Sequence, residues 1–112
     1  MENNIIKDRL LGNIDVLSDV RVRVVGTISN VDTKIGTFEL VYEEKRVTCL
    51  PPISQKYHPL IGDNVTLVGR IVPTDNNEIE IRTESVAKIS KEELDSYIKY
   101  LKLRNEVLNN GS

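Results

Sequence analysis

The chain has 112 residues, enough for one domain, and at 39% hydrophobic but only 4% aromatic, with no tryptophan, its core has to be built from aliphatic side chains. A net charge of -2 excludes a protein that holds nucleic acid by bulk positive charge, because that mode rests on many Lys and Arg displacing phosphate counterions. The single cysteine, Cys49, excludes an intramolecular disulfide framework and fits a reducing compartment such as the cytosol or nucleus, and no run approaches the ~20 apolar residues of a membrane span.

Residues 1–18 read as an N-terminal arm or short helix. Met1-Glu2-Asn3-Asn4 lacks the basic start and apolar run of a signal peptide. Ile5, Ile6, Leu10 and Leu11 have loose helical spacing and Gly12-Asn13 reads as a stop, which suits either a short helix or an extended arm packed on the domain.

From Asp19 the period changes to two. Val20, Val22 and Val24 alternate with Arg21 and Arg23, the pattern of a half-buried strand that continues through Gly26 and Ile28. A glycine inside a strand marks a bend, and barrels use bends to curl a sheet on itself. After the turn at 32–36, residues 37–42 place Phe38, Leu40 and Tyr42 on one face. The polar turn 43–45 leads to a third strand, 46–50, with Val47 and Cys49 on a shared face, ended by Pro51-Pro52. Residues 53–60 read as a loop or one helical turn. Val65, Leu67, Gly69 and Ile71 mark a fourth strand, and 78–87 a fifth, with Ile79 and Ile81 opposite Glu78, Glu80 and Arg82.

Five short strands with turn signals between them predict a small barrel over 19–88, and the gap between the third and fourth matches the OB-fold layout. The fold class expected is all-β with a C-terminal helix: a five-stranded OB-fold barrel plus one long α-helix over 89–110. Ser90-Lys91-Glu92-Glu93 is a capping box, Asp95 and Lys99 have the spacing of an i,i+4 ion pair, and Asn109-Asn110-Gly111 supplies a stop.

On a helical wheel Leu94, Tyr97, Ile98, Leu101 and Leu108 fall on one face, and Tyr100, Leu103 and Val107 on an adjoining one. The two span an arc of about 200°, twice the ~100° that one-sided packing needs. Either the N-terminal arm covers the surplus or another subunit does, and the helix is therefore the expected partner-binding element.

The runs Val22-Arg23-Val24-Val25-Gly26-Thr27-Ile28, Thr37-Phe38-Glu39-Leu40 and Gly62-Asp63-Asn64-Val65-Thr66-Leu67-Val68-Gly69-Arg70-Ile71 resemble the small single-OB subunits of single-stranded-DNA-binding complexes. Two such families are similar: the Ten subunits of the telomeric Cdc–Stn–Ten (CST) complex, and the smallest subunits of replication protein A. Both have one barrel followed by a helix, an order that spans residues 19–108 here. The Ten resemblance implies a heterodimer with a Stn-like OB partner through the C-terminal helix, a nuclear location at the telomere, chromosome-end protection and help in lagging-strand fill-in.

Little in the sequence points to catalysis. His58 is the only histidine and, beside Pro59, reads as a loop residue; with one cysteine it makes no zinc site. No nucleophile stands at a recognisable spacing from a base and no glycine loop cradles phosphate. No cofactor, metal, membrane or small-molecule substrate is expected, and the chain is expected not to be an enzyme. For single-stranded DNA, an OB barrel uses its outer strand face and flanking loops. The candidates there are Arg21, Arg23, Lys34, Lys45, Arg46, Arg70 and Arg82, with Tyr42 or Tyr57 as a stacking surface. Glu39, Glu43, Glu44, Glu78 and Glu80 are interleaved with them, so DNA binding by the chain alone is expected to be weak.

Overall fold

A computed structural model describes residues 5–76 and 78–110, with helix side chains through Val107. The element order is β1 (Ile6–Asp8), a single 3-10 turn (Leu11–Asn13), β2 (Arg21–Val31), β3 (Phe38–Tyr42), β4 (Lys45–Leu50), β5 (Asn64–Pro73), β6 (Ile79–Lys88) and α1 (Lys91–Asn110). The sheet runs β1-β2-β3-β4-β6-β5 and closes through an additional β2–β5 pairing. Five of the six strands, β2 to β6, thus make a closed barrel, and the β4–β6 pair is parallel while the other barrel pairs are antiparallel. This is the OB topology.

Closure depends on β2. Its first half, from Arg21 to Thr27, pairs with β5, and its second half, from Thr27 to Val31, pairs with β3. Closing the sheet on itself requires this strand to curl, and Gly26 sits at the changeover between its two partners. A Cβ there would lie 2.8 Å from the Val41 carbonyl oxygen and 2.9 Å from Leu40. Gly69 on β5 is tighter still, since a Cβ would meet the Arg82 carbonyl oxygen at 2.5 Å. Both glycines let neighbouring backbones approach where any side chain would part them. Register shifts at Ser29 in β2 and at Glu84 in β6 add twist and each re-aims a side chain outward.

The alternation read from the sequence is the barrel interior. Val22, Val24, Ile28, Phe38, Leu40, Val47, Cys49, Val65, Leu67, Ile81 and Val86 pack inside, and Leu11 from the arm closes one end. Burial pushes the Cys49 thiol up to about 12, as expected for a core cysteine. Residues 51–63 form no helix; the loop is held by Tyr57, packed edge-on against Phe38, and by Gln55, whose amide exchanges two hydrogen bonds with the Val86 backbone (2.8 and 3.2 Å).

A second apolar cluster lies outside the barrel. Val25, on the outer face of β2, is buried beneath Leu94, Ile98 and Leu101 of α1, with Leu10 of the arm completing the layer. The arm is extended: β1 pairs in parallel with Arg21, Val22 and Arg23. Its return is locked by Asp19, whose side chain is 0% exposed and takes two bonds from Arg9 (3.0 and 3.1 Å) and one from the Asp15 backbone N–H (2.8 Å).

Candidate functional site

Helix α1 begins where its capping box places it. Ser90 Oγ accepts from the Glu93 backbone N–H at 3.0 Å, and Glu93 accepts from the Ser90 N–H at 3.2 Å. Asp95 pairs with Lys91 at 2.7 Å, four residues before it, and not with Lys99, four residues after. The expected stop at Gly111 lies outside the described residues.

The structure divides six of the eight apolar helix residues into two sets, with Tyr97 at the edge of the first. Leu94, Ile98 and Leu101 are buried in the chain's own second core, Leu101 with 0% exposure. As partner contacts these three are corrected: Val25 and Leu10 already occupy that face, as Ile89 and Tyr97 do at its edges. Tyr97 is half-buried and its hydroxyl donates to the Asp8 carboxylate. Burial first, and then that bond, hold the phenol well above its usual range. Tyr100, Leu103 and Val107 are the other set, exposed at 56%, 53% and 68%. Their i, i+3, i+7 spacing sets them along one stripe, about 140° round the helix from the buried face. The small Ser96 extends that stripe one turn toward the N-terminus without covering it. The Leu108 side chain lies outside the described residues.

Polar contacts fix the helix in place and so fix where the stripe points. Asp8 is the hub: its carboxylate receives Tyr97 and Arg23, and its main-chain oxygen receives Arg104. On the other flank Lys102 reaches Glu43 at 3.1 Å and stands 5.6 Å from the centre of the Tyr42 ring. Nothing local in the sequence marks Asp8 as this hub, since its partners lie up to 96 residues away.

The nucleic-acid candidates do not form one surface. On the β3–β4 side Arg46 pairs with Glu39 at 2.9 Å. The Ser29 hydroxyl, and then Arg46, hold the Glu39 carboxyl below its usual range. A groove of about 420 Å³ opens there between the arm and the ends of β4 and β6, with Glu39 and Glu78 facing Lys45 and Arg46. Lys34 is exposed in the 32–37 turn, apart from this cluster. Arg23 is drawn to Asp8 at 3.5 Å. Tyr42 packs between the two cores and Tyr57 against Phe38, so neither ring offers the open face that base stacking requires. Arg21, Arg70 and Arg82 come together elsewhere, on the outer face of β2, β5 and β6.

His58 is exposed in the 51–63 loop and Cys49 is sealed in the barrel, so the two never meet. Among the described residues no three His, Cys, Asp or Glu gather as metal ligands, and no helix is long and apolar enough to cross a membrane.

Barrel closure, the parallel β4–β6 pair and the appended helix define a single-OB protein. No family profile matches the sequence and no curated protein matches it. Solved structures do. The telomere capping protein Ten1 from S. pombe superposes with a TM-score of 0.68 at 16% identity, covering 91% of this chain and 99% of that one. A chain of the S. pombe Stn1–Ten1 complex gives 0.68 at 16% identity, covering 94% and 96%. The hypothetical protein ygiW from E. coli gives 0.58 at 15%, covering 74% and 90%. The first two share the barrel and nearly the full length; the third shows that the fold also recurs well outside telomere proteins, and a fold does not by itself specify a function.

Proposed function

We propose that this chain is a non-catalytic, Ten1-like subunit of a telomeric single-stranded-DNA-binding complex, acting in the nucleus at chromosome ends and pairing with a Stn1-like OB partner through the outer stripe of α1. The observation that carries the reading is the exposed stripe Tyr100, Leu103 and Val107 on a helix whose opposite face is already buried. The full-length likeness to Ten1 and to the Stn1–Ten1 complex supports the choice of partner.

The physics is that of helix–helix packing. Seven residues of helix advance about 10.5 Å, so the stripe presents two turns of apolar side chain to a partner helix. A rigid helix loses little entropy on docking, which favours a preorganised interface. The barrel's mixed charge makes DNA binding chiefly a property of the assembled complex.

The test is co-expression with a Stn1-type OB protein. Wild type is expected to co-purify with it, and Leu103→Glu/Val107→Glu to lose it while remaining folded. Undiminished capture of the partner by the double variant overturns the stripe as the interface. Selective capture of replication protein A subunits instead moves the chain to the replication complex.

A further inference from the structure

Arg21 on β2 lies directly across from Arg70 on β5, and Arg70 directly across from Arg82 on β6. Opposed residues of antiparallel strands point to the same side of a sheet. The flanking Val22, Gly69 and Ile81 are buried, so the three arginines face outward in one row. Strands stand about 4.8 Å apart, which places the row within about 10 Å. Like charges in direct register destabilise a sheet, and among the described residues one carboxylate pairs with two of the three. Glu84, the extra residue of the β6 bulge, reaches Arg21 at 2.8 Å and Arg70 at 3.8 Å. Arg82 is exposed and has no ion pair among the described residues. The other charges on this side are Arg23, spent on Asp8, and Glu80, two positions along β6 from Arg82. The excess is positive and concentrated, unlike the β3–β4 side, where Glu39 answers Arg46 and Glu78 faces Lys45.

We propose that the Arg21–Arg70–Arg82 row is a phosphodiester-binding surface for single-stranded nucleic acid, on the β2–β5–β6 side of the barrel rather than on the β3–β4 side that an OB barrel ordinarily uses. Guanidinium groups grip phosphate oxygens in a fixed fork, and a row without open aromatic rings binds backbone without reading bases. Arg21 lies four residues before Val25, which is beneath α1, a distance of about 13 Å along the strand. The row therefore stands close to the face of β2 on which α1 is seated. This inference rests on the proposed membership of a single-stranded-DNA complex.

The experiment is fluorescence anisotropy of the full chain with a labelled oligothymidylate of about 16 nucleotides, the upper site size of one OB barrel, over a salt series. Arg70→Gln/Arg82→Gln is expected to weaken binding about tenfold and to lower the salt slope by about 1.4, or about 0.7 per arginine. Glu84→Gln, which frees the row from its carboxylate, is expected to tighten binding about threefold, which a purely structural brace would not do. Lys45→Gln/Arg46→Gln is expected to stay within about twofold of wild type. Thermal melts identify any variant that fails to fold, and Glu84→Gln carries the decision if the arginine pair does. The proposal is overturned by no wild-type binding at low salt, by a greater loss in Lys45→Gln/Arg46→Gln, or by polyglutamate competing as well as oligothymidylate, which would make the row an acidic-protein site. Partner capture by Arg70→Gln/Arg82→Gln is expected to be intact, so loss of DNA binding and loss of the Stn1-type partner are read separately.

Discussion

The two apolar faces of α1 are made of similar residues and do different work. Leu94, Ile98 and Leu101 lie over Val25 and Leu10 and stabilise the chain itself. Tyr100, Leu103 and Val107 lie about 140° round the same helix and belong to neither core, Tyr100 meeting the Tyr97 ring at the edge of the second (6.4 Å between centroids). What separates them is not hydrophobicity but position relative to β2 and the arm. Side-chain type indicates that a surface avoids water; tertiary placement decides whether the chain or a partner covers it.

Four variants break or sharpen this contrast. The largest effect belongs to the inner face: Leu101→Ala is expected to cost about 3 kcal/mol in urea unfolding, since it leaves a cavity in a layer with little freedom to collapse. Next is the lock of the arm that supplies Leu10. Burial of Asp19 opposes its charge, but Arg9 and the Asp15 N–H more than offset this, and the carboxyl titrates below its usual 3.8. A group depressed on folding stabilises the protein above its unfolded value and loses that contribution as pH falls through the folded one. Asp19→Asn is therefore expected to lose about 2 kcal/mol near neutral pH, less than a fully buried pair because Arg9 is part-exposed. The difference from wild type should shrink below pH 3.8. A wild-type to variant gap that stays constant from pH 6 down to about pH 2 refutes the lock.

Tyr97→Phe comes third, at about 1 kcal/mol, for a lost hydrogen bond to a charged group that keeps Arg23. The Tyr97 phenol is raised on folding, so its contribution is complete below its usual value of 10 and disappears as pH rises through the higher folded value. Alkaline unfolding of wild type but not of Tyr97→Phe across that window checks it. The smallest effect on stability belongs to the outer stripe: Leu103→Glu/Val107→Glu is expected to stay within about 0.5 kcal/mol of wild type, while removing partner capture. If its unfolding midpoint falls as far as that of Leu101→Ala, the two faces are not distinct and the contrast fails.

Much of the fold was legible because its signals are local. Period-two alternation located all five barrel strands to within three residues, and the Ser90/Glu93 capping box located the start of α1. The arm was legible only as a choice between helix and extended chain. β1 has three residues and gains its partner β2 through parallel pairing, which leaves no turn signature between them. The i,i+4 spacing offers Asp95 two lysines, Lys91 and Lys99, and the tertiary geometry selects Lys91.

The candidate sites were less legible, because residues distant in the chain assemble them. Sequence alone determined that the helix carries more apolar surface than one barrel uses, that the chain has too little positive charge to hold DNA in bulk, and that it holds one histidine and one cysteine. These are matters of composition and period. Tertiary structure decided which apolar residues remain open, that Asp8 anchors the helix from 89 and 96 residues away, and that Arg21, Arg70 and Arg82 share a row while Lys45 and Arg46 lie elsewhere. The physical reason is register: strand pairing and bulges bring distant residues within one side-chain length, and no local pattern encodes which pairs those are.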